Sequence, residues 1–323
     1  MTIFDNPIIN IYSSMKMKER NLLSFMEDVV RQLQSEGRYG TAHVYHCTLR
    51  RIRQFAGSRS YFPFRCITRT WLKAFAEHLY AQGMRFNSVS TYMRMLRATY
   101  NRAAMQGLIK PDPLLFRRMH TGVEAGNSRA LPAEAIRRIL LPEHKLPERL
   151  EKARCCFSML FLLRGLSFAD LAYMRKSDLQ DNLLCYHRRK TGRRLCVEVV
   201  PEALALLERY TSDAGNVPGL FPFVREQGEA GYRQYRNALR CFNRRLGELA
   251  RYLGLDVSLS SYCARHSWAT IANFSHYDKE LISNALGHSS VRVTETYFRQ
   301  FHDEEIHRMN REILAGLLSS SSS

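Results

Sequence analysis

The sequence predicts a mainly α protein with a small antiparallel β-sheet, divided into two domains. Three observations predict it. Apolar residues recur at helical spacing through most of the 323-residue chain. One hairpin signal, two short apolar runs joined across Lys190-Thr191-Gly192, stands in the second half. Between the halves lies a stretch containing Gly122, Gly126, Asn127 and Ser128, the composition of a linker. A chain of this length also exceeds one comfortable hydrophobic core.

The elements follow in order. Residues 1–20 show no period and form an N-terminal extension. Leu22, Phe25, Met26, Val29, Val30 and Leu33 recur on one helical face and stop before Gly37. Thr41 is the expected N-cap of a second helix running to about Phe55. A third covers roughly Thr70 to Tyr80 and ends near Gly83. Asn87 or Ser88 caps a fourth, with Val89, Tyr92, Met93, Leu96 and Tyr100 along one face. Gly107 and Pro111-Asp112-Pro113 end it. These helices, within 21–118, are expected to form a bundle that turns Arg50, Arg51, Arg53, Arg94 and Arg97 outward. After the linker, 119–130, the second domain spans 131–315. It opens with a helix near Pro132, which suits a first helical turn, and a second from about Glu148 to Leu163. The hairpin pairs Leu183–Tyr186 with Leu195–Val199. Helices return from Pro201, around Tyr232 to Leu253, after Ser267, and from Glu280 onward. The Ser-rich end, 316–323, is expected to be disordered.

Charge gives the first indication of function. Lys and Arg number 48 against 30 Asp and Glu, a formal net charge of +18. Residues 1–120 hold 19 basic and 7 acidic residues, and the remainder 29 and 23. A strongly basic smaller half beside a milder larger half fits a polyanion clamp joined to a domain with another task. Basic side chains neutralise phosphates and release counterions, so the expected partner is a nucleic acid, which the resemblance below narrows to double-stranded DNA. An anionic membrane surface fits less well, because the basic residues are spread over several helices. The longest strongly apolar run, Cys155 to Leu163, is too short to span a bilayer. The expected location is cytoplasmic, associated with the nucleoid. Eight cysteines occur, at 47, 66, 155, 156, 185, 196, 241 and 263. None forms a Cys-x-x-Cys pair, so they read as reduced, with neither a metal nor a disulfide expected.

Chemistry concentrates in three strings: Arg164-Gly165-Leu166-Ser167-Phe168-Ala169-Asp170, Tyr262-Cys263-Ala264-Arg265-His266-Ser267, and Leu286-Gly287-His288-Ser289-Ser290, with Tyr297 nine residues after His288. A free tyrosine, with a pKa of about 10, is a poor nucleophile at neutral pH. Clustered cations favour its ionised form and stabilise the charge that builds on an attacked phosphate.

These strings resemble the tyrosine recombinase (phage integrase) family over nearly the whole chain. Leu286-Gly287-His288 followed by Tyr297 is the most specific part. Arg265-His266-Ser267-Trp268-Ala269-Thr270 resembles the family's second-arginine box, and Lys190-Thr191-Gly192 its hairpin lysine. Asn87 to Ile109 is similar to the end of its helical core-binding domain. The resemblance implies a two-domain DNA clamp, a core-binding domain followed by the catalytic domain. It implies that Tyr297 attacks the scissile phosphate and forms a 3′-phosphotyrosyl link. Arg265 then grips the phosphate oxygens, His288 hydrogen-bonds a non-bridging oxygen and Lys190 protonates the leaving 5′-oxygen. The covalent link conserves the phosphodiester energy, so no cofactor, metal or ATP is implied. A homotetramer on synapsed sites and accessory DNA-bending proteins are the implied partners.

Two positions depart from the pattern. The family's His three residues before the second arginine is Tyr262 here, either a hydrogen-bonding participant or a packing residue. His266 is read as structural, facing elsewhere. The first arginine is absent at its usual place, Ser167, and an arginine stands instead at Arg164. If that stretch is helical, the two positions share a face, and Arg164 is the expected replacement. The alternative is that Arg188 or Arg189, otherwise read as DNA-backbone contacts, supplies the charge. Asp170 reads as an acceptor that orients an arginine. Trp71 and Trp268 read as core. The amphipathic segment from Asp303 to Ile313 packs either on its own domain or on a neighbouring protomer. Two other functions fit parts of the pattern: a DNA-binding protein that has lost catalysis, and type IB topoisomerase-like relaxation. Paired carboxylates for a two-metal nuclease are not evident.

Overall fold

The computed structural model describes residues 21–57, 61–117, 119, 121–122, 128–142, 145–211, 219–298 and 310. The chain divides into two compact units, Met1–Ala125 and Gly126–Ser323.

The first unit is a bundle of α1 (Leu22–Ser35), α2 (Tyr39–Ala56), α3 (Arg69–Ala81) and α4 (Phe86–Met105), with a short 3₁₀ turn at Phe64–Cys66. The predicted apolar face of α1 is buried, Leu22, Met26 and Leu33 being fully enclosed. The Asn21 side chain caps α1 by accepting from the Leu23 N–H, and also accepts from the Phe62 N–H. Two helix starts differ from expectation. Thr41 caps nothing, because α2 begins at Tyr39, and α4 begins at Phe86 rather than after Asn87 or Ser88. The cause lies in the preceding turns. Gly37 and Gly83 take positive φ, and the amides that follow bond back to Leu33 and Leu79. Such glycine stops reverse the chain in few residues, so the next helix starts at once.

The second unit orders α5 (Ala133–Leu140), α6 (Glu148–Leu162), α7 (Phe168–Ala172), β1 (Leu179–Gln180), β2 (Leu183–His187), β3 (Arg194–Glu198), α8 (Pro201–Thr211), α9 (Gly228–Tyr252), α10 (Ser261–Phe274), α11 (Lys279–Leu286) and α12 (Val291–Glu295). The mainly α class with a small antiparallel sheet is therefore as the sequence predicts; the sheet has the order β1-β2-β3. Helix α6 is central, packing against α8, α9 and α10, with Phe157 and Leu160 fully buried.

Three expectations fail here. Helix α10 begins at Ser261, well before Ser267. Residues Cys263 to Ser267 are buried in succession, so that stretch shows no alternation from which a helical period could be read. The helix expected from Glu280 onward breaks at Gly287, whose φ of 64° is left-handed, and resumes only at Val291. Cys185 and Cys196 form a disulfide, contrary to the all-reduced reading. Strand register causes it: the two residues are direct cross-strand partners, with Cα atoms 4.2 Å apart.

Among the described residues no helix is long and apolar enough to cross a membrane. The N-terminal extension, the segment from Asp303 to Ile313 and the Ser-rich end lie outside the described residues, save Asn310.

Candidate active site

The candidate nucleophile sits just after α12. Tyr297 is 5% exposed, and three elements hold its backbone. Its carbonyl accepts from Ser128 Oγ at 2.8 Å and Thr270 Oγ1 at 3.1 Å, and its N–H donates to the Thr294 carbonyl. Its hydroxyl lies 2.9 Å from the Tyr262 hydroxyl. Tyr262 is placed there because it precedes Arg265 by three residues on α10, one helical turn. Burial and the neighbouring Tyr297 push the Tyr262 phenol up to about 12, so it is neutral near pH 7.

Arg265, 3% exposed, points from α10 into the same space. One Nη donates to the Gly165 carbonyl at 2.8 Å; the other donates to the Leu286 carbonyl and lies 2.9 Å from His288 Nε2. Gly165 permits this approach, since a Cβ there would meet the Arg265 backbone at 3.1 Å, and its φ is positive. Arginine only donates, so His288 Nε2 accepts and the ring proton sits on Nδ1, facing Thr294 Oγ1 at 2.7 Å. Burial, then Arg265 and Arg188, hold the His288 pKa down at about 3. The imidazole is neutral in the empty site.

His266 does not face elsewhere. Its ring stacks on Tyr297, with centroids 4.3 Å apart, and burial holds its pKa near 4. The helix carries it there because α10 is buried without a break from Cys263 to Ser267, so a position beside Arg265 still meets a neighbour.

The hairpin tip approaches from the other side. Lys190 is exposed at the turn, and its charge is among those that lower the His288 pKa. Arg189 is exposed, and its guanidinium carbon lies over the Tyr173 ring, 3.7 Å from the centroid. Arg188 is 4% exposed; its Nη1 donates to the Gly287 carbonyl at 2.6 Å, and its Nε lies 3.8 Å from the Asp170 carboxylate. Asp170 also accepts from Ser167 Oγ at 2.7 Å and from the Arg189 N–H at 2.8 Å. Its carboxylate thus forms an ion pair with Arg188 while its hydrogen bonds come from Ser167 and the Arg189 N–H.

Arg164 is not on a helix. Helix α6 ends at Leu162, Arg164 and Gly165 both take positive φ, and Ser167 caps α7. The shared-face premise therefore fails. The Arg164 guanidinium reaches the Cys196 carbonyl on β3 at 3.4 Å and makes no described contact with Arg265, His288 or Tyr297.

In the first unit, Arg50, Arg53 and Arg97 are exposed, and Arg53 is paired with Glu27. Arg51 and Arg94 are half-buried rather than outward: Arg51 bonds Gln54 and Gln82, and Arg94 bonds Thr91. Trp71 packs among Phe55, Phe62 and Phe75 as a core residue. Trp268 instead lines a groove of about 430 Å³ with Phe161, Ile271 and Leu281.

A buried tyrosine beside an arginine and a histidine, with a lysine charge that reaches the histidine, is a set of groups suited to phosphoryl chemistry. Family comparison agrees with that chemistry. Residues 21–119 match the phage integrase SAM-like domain, and residues 130–304 match the phage integrase family. The chain belongs to the phage integrase family and is a tyrosine recombinase, an enzyme of site-specific DNA recombination. No curated protein sequence matches the chain significantly. Among solved structures it is similar to a lambda integrase dimer bound to a COC′ core site, at 18% identity over 92% of this chain and 83% of that one, with a TM-score of 0.63. The Tn1549 transposon integrase in complex with transposon right end DNA matches at 15% identity over 92% and 100%, with a TM-score of 0.63. A lambda integrase tetramer bound to a Holliday junction matches at 18% over 92% and 83%, with a TM-score of 0.61.

Proposed function

We propose that this chain cuts and rejoins double-stranded DNA at specific sites, with Tyr297 as its nucleophile. The observation that carries the reading is the Tyr297 hydroxyl, held against Tyr262 within the cluster of Arg265 and His288. The Tyr297 oxygen attacks the scissile phosphorus, the bond from phosphorus to the 5′-oxygen breaks, and a 3′-phosphotyrosyl link remains. The proton leaves through Tyr262, which is 39% exposed and can hand one on to water. Lys190, free at the hairpin tip, supplies a proton to the departing 5′-oxygen. Arg265 turns its fork to the non-bridging oxygens, where charge grows in the transition state. The phosphate then takes the place of Arg265 at His288 Nε2. Its negative charge raises the imidazole pKa, so that a protonated His288 donates to a second oxygen.

The exposed Arg50, Arg53 and Arg97 of the first unit contact the DNA backbone, with Arg189 on the hairpin. The tetramer among the similar structures supports assembly as a homotetramer on synapsed sites; accessory DNA-bending proteins are proposed as further partners from the sequence resemblance alone.

The test is a suicide assay on nicked duplexes tiled across the DNA flanking the coding sequence. Wild type is expected to form a covalent protein–DNA adduct. Tyr297→Phe is expected to form none while binding DNA within about threefold of wild type. Wild-type adduct levels in Tyr297→Phe would overturn the assignment.

A further inference from the structure

We infer that Arg188, on the catalytic hairpin, is the second phosphate-gripping arginine of this enzyme and occupies functionally the place left empty at Ser167. The inference rests on the recombinase reading above and concerns which side chains meet the phosphate.

Four observations support it. Arg188 and Arg265 donate to consecutive carbonyls, Gly287 and Leu286, so the two guanidiniums lie side by side at the turn that leads into His288. Both are at least nine-tenths buried, and in both the Nε–H has no hydrogen-bond partner. Two adjacent buried cations with unspent donors are unfavourable by themselves and suit a bound anion. The pair is strained at Arg265: burial and then the Arg188 charge depress its pKa. Asp170 lies 3.8 Å from Arg188, close enough to offset one charge, yet its nearer bonds go to Ser167 and the Arg189 N–H. One positive charge therefore remains uncompensated in the pair.

The fold also makes room for it. A Cβ at Gly287 would lie 3.2 Å from Arg188 Cδ and 2.9 Å from Leu195, so glycine there admits the arginine stem. Arg164 and Arg189 are spoken for elsewhere, at the Cys196 carbonyl and on the Tyr173 ring. Ser167 completes the exchange, because its hydroxyl caps α7 and holds the carboxylate beside Arg188. An arginine at 167 would bring a third cation into the same space.

The experiment uses the same nicked duplexes with the full chain, each prepared once with a natural scissile phosphate and once with a methylphosphonate there. Replacing a non-bridging oxygen by methyl removes the negative charge that the arginine neutralises. On natural phosphate, Arg188→Ala is expected to form adduct about 100-fold more slowly than wild type, with Arg164→Ala within about fivefold. On methylphosphonate the Arg188→Ala deficit is expected to shrink to less than tenfold, which a merely structural loss would not do. Arg188→Lys, which keeps the charge, checks that folding is intact and is expected to fall between. Adduct formation by Arg188→Ala at the wild-type rate, an equal deficit on both substrates, or a 100-fold loss in Arg164→Ala would overturn the inference. Absence of adduct in wild type would instead overturn the recombinase reading itself, and this inference with it.

Discussion

The arginines of the two units are built for different tasks. In the helical bundle, Arg50 and Arg97 are exposed and Arg53 is paired at the surface with Glu27. In the catalytic unit, Arg265 and Arg188 are 3% and 4% exposed and grip main-chain carbonyls. An exposed guanidinium gains little from a fixed partner and is screened by salt, so it serves as a sequence-tolerant contact to DNA backbone. A buried one has already lost its water, so each unspent donor waits for charge that develops in a dry site. On the proposed function, the same residue type would supply affinity in one unit and rate in the other.

That contrast predicts effects that separate. Arg265→Ala should show the largest: adduct formation falls about 10²–10³-fold in single-turnover assays, while DNA affinity changes by less than about threefold. Equal losses of affinity and rate would erase the distinction. Arg50→Ala and Arg97→Ala should show smaller effects of the opposite kind. Each weakens binding several-fold and reduces the slope of log affinity against log salt by about 0.9, with the cleavage rate of the bound complex unchanged.

How far the sequence revealed this contrast can be argued from particular residues. Tyr297, Arg265, His288 and Lys190 were legible because their spacing along the chain is specific. The burial of Arg188 was missed, since it was read with Arg189 as a DNA-backbone contact, although a simple signal could have found it. Leu184, Tyr186 and Arg188 alternate on the buried side of the hairpin, whereas Arg189 falls on the open side. The Cys185–Cys196 pair followed from the same hairpin, because pairing across Lys190 and Thr191 sets those two positions opposite. Counting Cys-x-x-Cys spacings cannot find it. The reading of Arg164 failed because it assumed a helix through Gly165, where two successive positive φ values break one. Arg51 and Arg94 failed as outward residues because glutamine and threonine neighbours give their long side chains partners along the bundle. The place of His266 was hidden because unbroken burial from Cys263 to Ser267 leaves no period there from which to tell the faces of α10.

The smallest expected effect concerns pH. His266 and His288 titrate near 4 and 3 in the folded chain, below the ordinary value of about 6.5. The unfolded chain therefore takes up these protons first. Stability is fully present above about pH 6.5 and falls as pH drops toward the folded values, by up to about 1.4 kcal/mol per histidine per pH unit. Urea midpoints should decline from pH 7 to pH 5, and the decline should flatten in His288→Asn. No flattening would mean that the buried site does not hold His288 neutral.

The central claim is that the enclosed Tyr297, and not the half-exposed Tyr262 that stands 2.9 Å from it, takes the phosphate. Trapping the covalent adduct on nicked DNA, digesting both components and sequencing the nucleotide-bearing peptide by mass spectrometry tests it directly. The account predicts the modification on Tyr297 alone. A nucleotide remnant on Tyr262 would contradict it and would make the buried cluster the support of a different nucleophile.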